Sequence, residues 1–145
     1  MQYFDINDPK INFRVIAQNN LAFALLNYQP IVPGHLLICP IRPVITYDEL
    51  THEEWAAIVS LKQMLCKVLI KTFDADGFNF AWNEGSDAGQ TVPHFHLHVL
   101  PRKKGDTGIL EYEPRQFLYR TGSRAITPDE ELKEVVALIQ KNLIL

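Results

Sequence analysis

Residues 51–71 leave the chain little freedom. Thr51 and Glu54 form a capping box, in which an N-cap hydroxyl and a carboxylate three residues on can each accept from the other's backbone N–H. Behind it Trp55, Ile58, Val59, Leu65 and Leu69 recur at helical spacing. This predicts a helix of about five turns ending near Lys71. Everything before and after it is cut into short β-forming runs. Residues 13–17 and 21–26 read as a hairpin across Gln18, Asn19 and Asn20. Pro33 and Gly34 suit the central positions of a type II turn, since Pro fixes a negative φ and Gly accepts a positive one. Residues 35–39 then read as a strand closed by Pro40 and Pro43. Asp76–Gly77 makes a turn, residues 78–82 a strand, 83–90 a polar loop and 93–101 a strand bounded by prolines. Residues 102–124 carry only a weak pattern and read as loop-rich. Thr127, Pro128 and Glu130 resemble a second helix start, for a C-terminal helix to about Asn142. Strands clustered around one long helix, with hairpin turns between them, favour α+β with an antiparallel sheet over a doubly wound fold.

The 145 residues suit a single domain spanning 1–145. At 47% hydrophobic and 21% charged the chain can build a core unaided, so disorder and coiled coil are excluded. Fourteen basic against seventeen acidic residues give a net charge of −3. Binding to a nucleic-acid backbone asks for a basic surface, so no nucleic-acid partner is expected, whereas a free nucleotide remains admissible. Cys39 and Cys66 both lie in apolar segments and read as free thiols. The first five residues have no basic stretch followed by an apolar one, and no apolar run reaches the roughly 18 residues of a membrane span. A cytoplasmic protein without a membrane partner is the expectation.

The segment His94-Phe95-His96-Leu97-His98-Val99-Leu100 holds three of the five histidines. In a strand, side chains alternate between faces. The three imidazoles therefore share one face, while Phe95, Leu97 and Val99 share the other and pack onto a helix. Adjacent imidazoles repel when charged and solubilise poorly, which argues against a merely solvated face. Two chemistries fit. One is zinc, chelated by histidines two apart with a third ligand from elsewhere. Extended backbone separates the Cα atoms of His94 and His98 by about 13 Å, so one ion would hardly take all three. The other is nucleophilic attack by a neutral imidazole, whose second nitrogen is held by an acceptor while its neighbours donate to phosphoryl oxygens. The preceding loop, with Gly85, Ser86, Gly89, Gln90 and Thr91, offers backbone amides, a side-chain amide and a hydroxyl of the kind that cradle phosphate.

The alternation of His94, His96 and His98 with apolar residues resembles the signature of the histidine triad (HIT) superfamily. Residues 27–40, with Asn27, Pro33, Gly34 and His35, resemble the upstream family segment that carries a further histidine. Residues 88–92 before the triad, and Leu100, Pro101, Arg102 and Lys103 after it, are similar to the fragile-histidine-triad branch, the dinucleoside polyphosphate hydrolases. The likeness covers roughly residues 13–106 and does not extend to the C-terminal part.

The resemblance implies a HIT-like sheet of about five antiparallel strands with one long helix and a C-terminal helix. It implies attack of His96 on the α-phosphorus of a nucleotide, a nucleotidyl-histidine intermediate, and its hydrolysis by water. His98 would contact phosphoryl or bridging oxygens, and His94 and His35 would orient the site. Asn27 would contact ribose or phosphate. Gly89, Gln90, Thr91 and Val92 would form the phosphate loop, with Asn83 standing where that branch usually carries the longer glutamine. No metal ligands and no protein-bound cofactor are implied, with Mg2+ entering, if at all, on the substrate. A homodimer through the long helix and a strand is expected. The function implied is a dinucleoside polyphosphate hydrolase; a nucleoside phosphoramidate hydrolase and a nucleotide-binding signalling protein are the alternatives, and a zinc hydrolase ranks last. Trp55 and Trp82 read as core, His52 as surface, and Arg102, Lys103 and Lys104 as a solvated strand end.

Overall fold

The structure, a computed structural model, describes residues 3–106 and 125–143. The capping box forms as read. The Thr51 hydroxyl accepts the Glu54 N–H at 3.0 Å, and the Glu54 carboxylate accepts the Thr51 N–H at 2.9 Å. Two otherwise orphaned donors are thereby satisfied. Arg42 adds a bidentate pair to the same carboxylate, at 3.0 and 2.7 Å, and holds it below the usual carboxylate range. The long helix, α2 (His52–Phe73), runs two residues past Lys71 and stops where Asp74 turns left-handed. Ile58, Leu61, Leu65, Val68 and Leu69 are buried along its inner face.

That face lies on a five-stranded antiparallel sheet. After a short helical turn α1 (Pro9–Asn12) come β1 (Val15–Gln18), β2 (Ala22–Leu26) and β3 (Leu36–Pro40), and beyond α2 come β4 (Gly77–Ala81) and β5 (Leu97–Arg102). The order across the sheet is β1-β2-β3-β5-β4, with every neighbouring pair antiparallel. The C-terminal helix α3 (Asp129–Lys141) packs beside α2 on the same face. Ile16, Leu26, Ile38, Phe95, Leu97 and Val99 form one buried cluster with the inner residues of the two helices there. The opposite face carries a smaller cluster of Phe4, Ile11, Phe23, Leu25, Leu37 and Cys39. Cys39 and Cys66 are both free. Among the described residues no helix is long and apolar enough to cross a membrane.

Four details depart from the sequence reading. The strand expected at 93–101 begins at Leu97, because Pro93 has no N–H and the Phe95 N–H bonds the Val44 carbonyl, outside the ladder. His94 and His96 therefore sit in an irregular lead-in, and only His98 is in β5. Thr127 does not cap α3: its N–H bonds the Tyr28 carbonyl, and the helix starts after extended Pro128, at Asp129. Arg102 is not solvated. It is buried and forms a bidentate pair with Asp106 at 2.7 and 2.8 Å. Trp82 is exposed rather than core, its ring stacked on Tyr47. Of the loop-rich stretch, residues 107–124 lie outside the described residues.

Candidate active site

The turn at 32–35 places the first site histidine. The His35 N–H bonds the Val32 carbonyl at 3.2 Å, and Gly34 has φ +85°, the left-handed value that a type II turn needs at this position. His35 follows directly and is fully buried. Its Nδ1 accepts the Ile31 N–H at 3.0 Å. An accepting nitrogen carries no proton, so the His35 proton is on Nε2. Nε2 lies 2.9 Å from His98 Nδ1 and donates to it. His98 is thereby assigned the tautomer with its N–H on Nε2. A backbone amide thus sets two rings in succession. Asn27, paired across from His35 by its N–H to the His35 carbonyl, places its amide nitrogen 3.4 and 3.3 Å from the two ring nitrogens. Near-equal reach to both puts the amide over the ring's face.

A second chain of bonds sets the other two rings. His94 is fully buried; its Nδ1 accepts the Phe4 N–H at 3.0 Å, and its Nε2 donates to the Pro40 carbonyl at 2.7 Å. Both nitrogens are thus engaged and the ring is neutral. Burial holds this imidazole below the ordinary histidine value, against the opposing pull of the Pro40 carbonyl. The His94 carbonyl in turn accepts His96 Nδ1–H at 2.7 Å. The lone pair of His96 is then on Nε2. The His96 and His98 rings are 4.9 Å apart at 66°, and Phe4 lies edge-on to His96 at 5.3 Å. His96 and His98 are each 7% exposed. A ring with an Nε2 lone pair therefore stands beside one with an Nε2–H, both largely withdrawn from solvent.

The loop carries a bracing bond that its sequence reading did not include. The Gln90 side-chain amide braces the loop: Oε1 accepts the Gly85 N–H and Nε2 donates to the Ile45 carbonyl, both at 2.9 Å. The N–H groups of Ala88, Gly89 and Gln90 also close bonds within the loop. Gly89, in the left-handed region, ends a 3-10 turn, and Thr91 is left exposed at the loop's end, with Val92 half-buried beside the Phe4 cluster. Asn83 follows β4. The last residue of β4, Ala81, pairs with His98. Among the described residues no three His, Cys, Asp or Glu side chains converge to hold a metal ion. His94 has its Nδ1 lone pair on the Phe4 N–H and its Nε2–H on the Pro40 carbonyl, so its ring offers no nitrogen to a metal as it stands.

Phe4, Ile31 and Pro40 escaped the sequence reading. They act through backbone groups, which any residue but proline supplies as donor, and Phe4 is ninety positions from His94. A direct check of this arrangement is the titration of His94 by NMR. Its folded value lies below the unfolded one, so the stability it contributes is present above about pH 6.5 and is lost as the pH falls toward the folded value. A His94 midpoint below about 6.5 is expected. A midpoint above it would contradict the Phe4 contact.

Four buried histidines set in two hydrogen-bonded pairs, three of them alternating in one segment, define one class of protein. The chain belongs to the HIT domain family, whose profile matches residues 8–105. The bis(5'-adenosyl)-triphosphatase of Dictyostelium discoideum is 45% identical over 86 residues, covering 59% of this chain and 58% of that protein. The asymmetrical bis(5'-nucleosyl)-tetraphosphatase of Schizosaccharomyces pombe is 38% identical over 129 residues, covering 83% and 71%. In structure, the Plasmodium falciparum diadenosine triphosphate hydrolase, crystallised with cyclomarin A, superposes with a TM-score of 0.72 at 27% identity, covering 89% of this chain and 75% of that one. The chain thus spans less than two thirds of the Dictyostelium relative's length.

Proposed function

We propose that this protein hydrolyses dinucleoside polyphosphates, with His96 as the nucleophile. The observation that carries the reading is the pair of opposed tautomers: a lone pair on His96 Nε2 beside an N–H on His98 Nε2. In the first step the His96 lone pair forms an N–P bond to the α-phosphorus, and the bond from that phosphorus to the bridging oxygen breaks. The ring becomes cationic, and its Nδ1–H is already held by the His94 carbonyl. A neutral His94 next to it adds no repulsion. The His98 N–H donates a hydrogen bond to a phosphoryl or bridging oxygen. In the second step water attacks phosphorus, the P–N bond breaks, and the nucleoside monophosphate leaves with the water's oxygen. Asn27, Asn83, Thr91 and Val92 are assigned to the nucleotide, with Gln90 and Gly89 shaping the loop. The residues need no protein-bound metal, and Mg2+ would enter with the substrate.

The same tautomers favour phosphate over amine leaving groups. His98 takes a hydrogen bond from a neutral His35, so it can stabilise charge but has no surplus proton to give. A departing phosphate is stable as an anion near pH 7, since its second pKa is about 6. A departing amine must be protonated. The names of the relatives agree with this choice. A panel of diadenosine triphosphate, diadenosine tetraphosphate and an adenosine phosphoramidate tests it, with the protein first dialysed against chelator and magnesium then restored. Rapid turnover of the first two and little of the third is expected. Preference for the phosphoramidate would reverse the reading. Slow turnover of all three with tight nucleotide binding would favour a signalling role.

A homodimer and a cytoplasmic location belong to the same proposal. β4 is an edge strand and exposes Phe80 beside the outer face of α2, a surface a second copy would cover. The two free cysteines suit a reducing compartment.

A further inference from the structure

Arg14 has no place in the chemistry above, yet it is only 4% exposed. Its Nη1 donates to the Leu26 carbonyl at 2.9 Å and its Nε reaches the Lys10 carbonyl at 3.5 Å. Its guanidinium carbon lies 4.9 Å over the Tyr28 ring. These contacts use two of five N–H donors, and the Asp129 carboxylate attracts the charge from the wall of the cavity that both line, without forming an ion pair with it. Among the described residues no carboxylate forms an ion pair with it. A buried charge without an ion pair is costly to keep, and burial pulls the guanidinium's pKa down against the smaller opposing pull of Tyr28, Cys39 and Asp129. If Arg14 served only to cap a carbonyl, a neutral amide would do so without that penalty.

Arg14 lines a cavity of about 620 Å³, within the usual range for small organic ligands. Lys10 and Lys133 add positive charge, Asp129 is the acid on its wall, and Phe13 and Tyr28 supply aromatic surface. Lys133 Nζ stands 6.0 Å over the Phe13 ring. We propose that this cavity is a second binding site, for an organic oxyanion: a carboxylate or phosphate group that pairs with Arg14, carried on an apolar body that packs against Phe13 and Tyr28. The site is distinct from the histidines, for Asn27 lies on His35 whereas Tyr28, next in the chain, covers Arg14. Tyr28 also accepts the Thr127 N–H at its carbonyl, so the ligand would touch the segment that leads into α3.

The test follows the Arg14 Nε–H signal of the full chain by NMR during titration with phenyl phosphate, phenylacetate and inorganic phosphate, with benzyl alcohol as the neutral control. A saturable shift with one or both phenyl oxyanions, and none with the alcohol, is expected; the stronger of the two decides between phosphate and carboxylate. Read from the Tyr28 and Phe13 rings, affinity should fall at least about tenfold in Arg14→Gln, which loses bonds to a charged group. Lys133 is exposed, so Lys133→Ala keeps the fold whatever Arg14→Gln does, and it should weaken binding severalfold. His96→Asn should bind the probes as wild type does, which separates this site from the catalytic reading. No saturable shift at Arg14, equal affinity in Lys133→Ala and wild type, or loss of the Arg14 shift in His96→Asn would each overturn the proposal.

Discussion

Replacing His96 with asparagine is expected to leave nucleotide binding intact and to lower turnover about a thousandfold or more. Asparagine is polar and similar in reach, and its amide can still donate toward the His94 carbonyl that now holds His96 Nδ1. What it lacks is an aromatic nitrogen whose lone pair can form the N–P bond. The loss should therefore fall on kcat, with KM little changed. His98→Asn should differ. That substitution removes the Nε2–H contact to phosphate and the acceptor of the His35 proton together, so both kcat and KM should suffer. Steady-state kinetics of the two variants, beside calorimetric binding of a nucleoside monophosphate, distinguishes these patterns. Equal kcat losses with equal KM losses in both would place the two rings in the same role.

The second large effect concerns the fold. Gly34→Ala is expected to destabilise the protein by about 2–5 kcal/mol, the sum of left-handed strain of about 1–2 kcal/mol and overpacking of about 1–3 kcal/mol. The backbone at Gly34 has φ +85°. A Cβ there would stand 2.8 Å from Cδ2 and from Cε2 of Phe73, and 3.1 Å from Cγ of Pro101. The strained turn is also the one that presents the Ile31 N–H to His35, so the tautomers of His35 and His98 would be disturbed with it. Denaturant unfolding measures the loss. The Phe73 ring can be cut back, so Gly34→Ala combined with Phe73→Ala should recover the clash relative to Phe73→Ala alone, but not the strain. A neutral Gly34→Ala would mean the turn tolerates a side chain and does not fix His35.

Local signals in the sequence carried far. Thr51 and Glu54 announced α2, and Pro33–Gly34 announced the turn, because each rests on neighbours a few positions apart. The alternation of Phe95, Leu97 and Val99 correctly put them on the helix-facing side of the sheet, and the histidine spacing correctly pointed to the family. What failed was decided at long range. His94 and His96 left the strand because Phe95 bonds Val44, some fifty positions away. Arg102 is held in part by Asn79 on the neighbouring strand, twenty-three positions away, beside its local pair with Asp106. The bond from Gln90 to the Ile45 carbonyl, which braces the loop, likewise spans forty-five positions. The tautomers, on which the chemistry rests, depend on the N–H of Phe4 and of Ile31, and a backbone amide leaves no mark in a sequence.

The central claim, that His96 Nε2 forms a covalent bond to phosphorus, is open to direct capture. The protein is mixed briefly with labelled diadenosine triphosphate and quenched in denaturant at alkaline pH, where a phosphorus–nitrogen bond to histidine survives, and the peptides are mapped. The account predicts label on the peptide containing His94, His96 and His98, loss of that label on acid treatment, and none in His96→Asn. Label retained in His96→Asn, label on a different peptide, or undiminished turnover by that variant would contradict it.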